Sequence, residues 1–466
     1  MAIGKRQTEK QQDLWITWDE IPESPGHPFY EYLNGLLSKH DFDSFCQEKC
    51  KSYYAEKMGR PGLPPENYFR LLLIGFFEGL DSERGIAWRC KDSLSLRAFL
   101  GYGLTDAVPD HSTLSRTRRL IDLETHQEIF QKILEILGKE KCVQGKTLGV
   151  DATTLEANAA MKSIIRRDTG VSYDRFLEQL AKESGITTPT REDLAKLDRQ
   201  RKKKGSNDDW FNPHDPDAKI TKMKDGRTHL AYKAEHAVDM KTGVVVAATI
   251  QPANEGDTTT MWTTLQETLE NLDAVSAEPG KDCKLEVVAD KGYHSNDSLL
   301  ALKEAEFRSY VSEPDRGRRN WKGKQEEQMA VYANRYRIRG KRGKALQRKR
   351  GEMVERTFAH GLETGGMRRV YLRGFVNVAK RYLIHIGGVN LGVMMRTKFK
   401  LGTPRGWGSV VGQWIGRTKV SRNPVVSIIY TTQVLMGVID SKMEGWFNSL
   451  VRYKTKLTCL RRGCLI

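Results

Sequence analysis

Asp151 closes the apolar run Leu148-Gly149-Val150, and Asp290 closes Val287-Val288-Ala289, so two carboxylates stand at the ends of strand-like segments. If those strands are neighbours with aligned C-terminal ends, the two acids meet at one rim of a sheet. A single acid in such a place more often shapes a turn. Two of them beside runs this apolar argue for more, because each adjoins buried chain and is partly desolvated if unpaired. A third acid, Glu355, lies in VERTFAH, where Val354 and Phe358 share a helix face at i, i+4 spacing and Glu355 flanks that face. Asp, Asp and Glu on strand, strand and helix supply hard oxygen ligands for two Mg²⁺ or Mn²⁺ ions, which activate a nucleophilic oxygen and stabilise a leaving oxygen in phosphoryl transfer. The plainer reading of Glu355 is an ion pair with a nearby arginine.

Charge narrows the partner for such chemistry. The 466 residues carry 76 Lys+Arg against 59 Asp+Glu, a net +17 with pI near 9.4. That balance favours a polyanion, either nucleic acid or an anionic membrane surface. Residues 308–350 hold 15 of the basic residues and only four acids. A stripe this concentrated is either a groove for a phosphate backbone or a solvated basic loop. Arg337, Arg339, Lys341, Arg348 and Arg350 are its candidate phosphate contacts. Trp321 sits in the same stripe beside Arg318, Arg319 and Lys322. It either stacks on an unpaired base or anchors the chain to the core, and amphipathic packing favours the anchor.

The elements that position these groups change in character along the chain. With 39% hydrophobic and 29% charged residues the protein is folded, and its length suits two or three domains. The apolar stretches fall short of a membrane span, and the polar start MAIGKRQTEKQQD carries no signal-peptide core, which points to the cytoplasm. Seven cysteines without a matching His or Cys pair read as free thiols. Helical spacing begins at Pro65, with Phe69, Leu72, Leu73, Phe76 and Phe77 on one face and a stop near Gly79. Two more helices follow over 82–91 and 93–100. Asp110 then caps a short amphipathic helix in which Leu114, Leu120 and Ile121 face inward, leaving Ser115, Arg116, Arg118 and Arg119 available. This succession is helix-turn-helix-like, and Ser115, Arg116 and Arg119 are its candidate DNA-reading residues. From Lys146 the pattern turns to strands, ending at Asp151 in the first, paired around Lys241-Thr-Gly over 231–250, and over 285–290. An insertion at about 161–225 separates the first strand from the hairpin, and helix returns after Gly351 and over 376–395.

Five ordered blocks now carry a resemblance: VPDHSTLSRTRRL at 108–120, VDATTLEANA at 150–159, DGRTHLAYKAEHAVD at 225–239, VVADKGYHS at 287–295 and GEMVERTFAH at 351–360. Across about residues 40–400 the chain resembles bacterial insertion-sequence transposases of the DDE type. The resemblance implies an α/β fold, with an RNase H-like mixed β-sheet flanked by helices and preceded by an all-α, helix-turn-helix-like domain. It implies metal-dependent cleavage and joining of transposon ends with Mg²⁺ or Mn²⁺, double-stranded DNA as end and target, and a homodimer on DNA. By it Asp151, Asp290 and Glu355 are the catalytic acids and metal ligands. The family often surrounds its Glu with Tyr-x2-Arg-x3-Glu-x6-Lys, which neither Glu355 nor Glu352 matches here, so Glu352 remains the alternative third acid. The expected domains are an N-terminal arm at 1–60, a helical DNA-binding domain at 61–140, the catalytic domain at 146–400 and a tail of unassigned role at 403–466. A catalytically inactive DNA-binding protein of the same fold is the alternative function.

Overall fold

Residues Thr147–Glu156 form β1, and everything that concerns the acids is arranged around it. The structure, a computed structural model, describes residues 27–406 apart from 56–61, 202–205, 224–225, 276–283, 316 and 318. Trp15 and Trp18 of the arm, Lys202 to Lys204 of the insertion and Trp407, Trp414 and Trp446 of the tail therefore lie outside the described residues.

The insertion opens with a two-residue ribbon, β2 (Ile165–Arg166) against β3 (Trp210–Phe211), and ends with β4 (Lys219–Lys222). β5 (Thr228–Asp239) runs antiparallel to β1 over the whole register from Leu148↔Asp239 to Glu156↔Ala231. Its other edge is shared end to end by β4 and by β6 (Val245–Pro252), the hairpin partner reached through Gly243 at φ +80°. On the far side of β1 lie β7 (Glu286–Ala289) and then β8 (Arg308–Val311), both parallel. The six-stranded mixed sheet thus has the order β4-β5-β1-β7-β8 with β6 on β5.

Among the described residues seven α-helices precede the sheet: α1 (Pro28–Lys39), α2 (Phe42–Cys50), α3 (Pro65–Glu78), α4 (Glu83–Asp92), α5 (Leu94–Phe99), α6 (His111–Leu120) and α7 (Leu123–Lys139). Their boundaries follow the polar caps, with Ser82, Ser93, Asp110 and Asp122 each accepting a backbone N–H of the turn they open. Gly79 ends α3 in the left-handed region at φ +66°. The insertion adds α8 (Tyr173–Glu183) and α9 (Arg191–Gln200). Five more helices flank the sheet: α10 (Asp257–Ala274), α11 (Asn296–Glu304), α12 (Gln325–Arg339), α13 (Lys341–Phe358) and α14 (Phe375–Phe399).

Each sheet face has its own core. On one, Val150, Ala237, Ala247, Val287 and Ala289 meet Met261 and Leu265 of α10, Leu299 and Leu302 of α11 and Val331 of α12. On the other, Val238, Val245 and Ala248 join α14, and the same continuous core takes in Phe76, Phe77, Ile133 and Leu137 of the N-terminal helices. α14 is buried almost all round. Two of its glycines admit the neighbours, since a β-carbon at Gly387 would lie 2.7 Å from Ile133 and one at Gly388 would lie 2.6 Å from the Phe76 ring. Among the described residues no helix is long and apolar enough to cross a membrane, and Cys46, Cys50, Cys90 and Cys142 are free and buried.

Several sequence expectations need correction. β1 does not end at Asp151 but continues to Glu156, because β5 goes on supplying partners after the parallel pairing with β7 stops at Gly149↔Val288. The basic stripe is largely helical rather than a loop, since α12 and α13 form a hairpin turning at Gly340, and helix returns there at Gln325 rather than after Gly351. On α6, Leu120 is 47% exposed whereas Arg118 is buried. Arg118 donates to Glu83 at 2.7 Å and to Asn377 of α14 at 2.5 Å, so its charge is used inside the fold.

Candidate active site

Asp151 lies in β1 at the level where β7 ends, and Asp290 is the first residue beyond β7. Asp151 Oδ1 accepts the backbone N–H of Ala152 at 2.8 Å, and Oδ2 accepts from Arg350 Nη1 at 2.5 Å. Burial raises the Asp151 pKa above the ordinary carboxylate value; Arg350 opposes the rise and the charge of Asp290 adds to it. The two carboxylates therefore sense each other. Asp290 is fixed by its own turn, where Oδ1 accepts the N–H of Gly292 at 2.7 Å.

The third acid rides on α13. That helix comes close to the sheet because Gly149 has no side chain: a β-carbon there would lie 2.9 Å from Val354 Cγ2 and 3.4 Å from Arg350 Cγ. Arg350 and Val354, one turn apart, thus form the inward face, and Glu355 is exposed, its carboxylate with no hydrogen bond or ion pair among the described residues. Glu352 is also exposed and pairs with Arg356 at 2.7 Å. Among the described residues no three acidic, histidine or cysteine side chains gather into a group able to hold a metal. Asp151 and Asp290 are brought together and Glu355 is not. As a donor set the two aspartates suit a hard divalent cation, with the Arg350 guanidinium now occupying one of the oxygens such an ion would use.

Across the strand pair from Asp151 stands His236. Its ring stacks on Phe358 at 4.2 Å and is bonded on both nitrogens, to Thr357 Oγ1 at 2.9 Å and Tyr382 Oη at 2.7 Å. Burial pushes its pKa down to about 3, so it is neutral and brings no charge beside the acids.

A polar network on the opposite sheet face was missed by the sequence reading. Lys233 donates to Asp257 at 2.6 Å and to Thr260 at 2.8 Å, while Glu235 accepts from Thr260 at 2.9 Å, Thr264 at 2.5 Å and Tyr293 at 2.8 Å. It reaches the site through Gly292, where a β-carbon would collide with Asp257 Oδ2 and lie 3.1 Å from Asp290 Oδ1. The signal was a Lys and a Glu two apart, set among Ala231, Ala234 and Ala237 in a strand paired on both edges, since buried charges must be paired.

Residues 19–120 match the family described as Transposase domain (DUF772), and residues 185–391 match the Transposase DDE domain family. The chain belongs to the DDE transposases of insertion sequences. Its fold is accordingly the RNase H-like α/β fold, preceded by a helical region. The DDE match includes Asp290 and Glu355 and begins beyond Asp151. No curated protein and no solved structure matches the chain.

The DNA-contact candidates of this transposase fall into two groups. On α6, Arg116 and Arg119 are exposed and lean on their own helix, Nε to Ser112 O and Ser115 O at 3.3 Å, while half-buried Ser115 accepts from Arg118 at 3.2 Å. In the stripe, Arg339, Lys341 and Arg348 are exposed. Arg337 is tied to Ser309 of β8 through its carbonyl at 2.8 Å and its hydroxyl at 2.7 Å, and Arg350 to Asp151. Trp321 packs partly into the core, edge-on to Tyr332 at 6.2 Å.

Proposed function

We propose that this transposase binds the terminal inverted repeats of an insertion sequence and catalyses metal-dependent DNA cleavage and strand transfer. The observation that carries the reading is the adjacency of Asp151 and Asp290 at the end of β7, on the sheet crossed by the basic helix α13. Asp151, Asp290 and Glu355 are the proposed ligands of two Mg²⁺ or Mn²⁺ ions, with Glu355 joining after an adjustment of α13. Bound there, the ions supply activation of the attacking oxygen and neutralisation of the leaving one. The chain's own part is to hold the DNA: exposed Arg339, Lys341 and Arg348 offer backbone contacts away from the cut, Arg337 supports them from β8, and Arg350 becomes free for the scissile phosphate when Asp151 takes another partner. Ser115, Arg116 and Arg119 on α6 are proposed to read the transposon end.

The substrates are then double-stranded transposon ends and target, joined by a homodimer that forms on DNA in the cytoplasm at the nucleoid. The helices at 61–140 act as the DNA-binding part and 146–400 as the catalytic part. Purified Asp151→Ala and Asp290→Ala proteins should bind an end-containing duplex and fail to cut it with Mg²⁺. Cutting by either variant would overturn the assignment. Glu355→Gln should abolish cutting in Mg²⁺ and Mn²⁺ while Glu352→Gln keeps most of it; the reverse order hands the role to Glu352.

A further inference from the structure

At the foot of the sheet, opposite the acid rim, the α12–α13 corner and β8 enclose a cleft of about 600 Å³. Its chemistry is unusual. Five guanidiniums line it, and the carboxylates that answer them are few. Arg342 pairs with buried Glu286 at 2.6 Å, Arg335 pairs with Glu313 at 2.7 Å, and Arg337 is bound to Ser309. Arg308 and Arg339 have no carboxylate within ion-pair distance among the described residues. Like charge crowded this way is relieved by an anion.

The rings decide which anion. Tyr336 is 84% exposed and Tyr332 48% exposed, and both line the cleft. The Arg335 guanidinium lies 4.8 Å from the Tyr332 ring. Aromatic faces set among arginines suit unpaired bases, which stack through faces that a duplex keeps covered; a duplex would use the arginines alone. The place matters as well. Arg308 and Glu286 begin β8 and β7, whereas Asp290 follows the end of β7, four residues or about 13 Å further on. The cleft is therefore separate from the proposed cutting site.

We infer that this cleft binds an unpaired DNA strand, with phosphates on Arg308 and Arg339 and a base stacked on Tyr336. The inference deepens the proposed DNA-processing function and rests on it for the choice of DNA. It is tested by fluorescence anisotropy of the full chain, without metal, on a labelled single strand and on a duplex of equal length. Tyr332→Ala combined with Tyr336→Ala should weaken single-strand binding about tenfold or more and leave duplex binding within twofold; Tyr336→Phe should behave as the parent. Equal losses on both DNAs, or no loss on the single strand, would overturn it, as would tighter binding of the same sequence as RNA. No cutting is read in this assay, so an inability to cleave ends counts against the proposed function and leaves the binding result intact. Thermal melting of the double variant controls for folding, since both rings are solvent-facing.

Discussion

Arg350 Nη1 lies 2.5 Å from Asp151 Oδ2, joining the helix that bears Glu355 to the strand that bears the first acid. The pair acts as a counter-ion lock on a carboxylate that burial and Asp290 both push toward its neutral form. A divalent ion has to displace it. Arg350→Ala should therefore bind Mn²⁺ more tightly in the absence of DNA, by roughly fivefold at pH 8, corresponding to about 1 kcal/mol for the ion pair given up. Titration calorimetry of the DNA-free protein reads this directly, and unchanged or weaker affinity would count against the lock. Strand cleavage should fall in the same variant.

The approach of α13 depends on one missing side chain. Gly149→Ala would set a methyl 2.6 Å from Met240 Sδ and 2.9 Å from Val354 Cγ2. Overpacking of this kind costs about 1–3 kcal/mol. Denaturant unfolding should show that loss, and Val354→Ala in the same chain should recover part of it. A Gly149→Ala protein as stable as the parent would mean that α13 sits further from β1.

Two arginines two positions apart on α6 should behave oppositely. Arg118→Ala leaves Glu83 without its partner in a nearly buried pair and should cost about 3 kcal/mol or more. Arg116→Ala should leave melting unchanged and narrow the gap between end-specific and random DNA. A loss of specificity without a loss of stability in Arg118→Ala would reverse the two assignments.

Glu267 on α10 gives a pH signature. Burial, helped by Glu270, raises its pKa from the ordinary 4.5 to about 7. Between those values the native state keeps a proton that the unfolded chain has released, so stability falls as pH rises through the window and the loss is complete above it. Glu267→Gln should add about 1–2 kcal/mol at pH 8 and nothing near pH 4.5. Parallel melting curves of the two proteins across that range would sink the assignment.

What the sequence revealed was local. The hairpin of β5 and β6 follows from apolar residues around Lys241-Thr-Gly, and α3 to α6 follow from their caps, because both signals act within a few residues. The apolar run stops before Asp151, yet Thr153 to Glu156 prolong the strand because β5, more than 70 residues away, pairs with them. The charged start of α13, KRGK, offers no apolar face, and what draws the helix to the sheet is the absence of a side chain on Gly149. Arg118 could not be told from Arg116 and Arg119, since the acid and the amide that bury it come from α4 and α14. The two aspartates were legible because each ends an apolar run. Their link to Lys233, Asp257 and Tyr293 was not, because it runs through the turn at Gly292, where α10 meets the end of β7.

Gly387 and Gly388, seated against Ile133 and Phe76, make one body of the helices before the sheet and the long helix after it. Such a body cannot be assembled from interchangeable heads. Removing the first 140 residues would strip α14 of half its cover and leave a greasy, aggregation-prone remnant. On the proposed reading of α6, a change of recognised end has to come from point substitution on that helix's outer surface and not from exchange of the N-terminal helices.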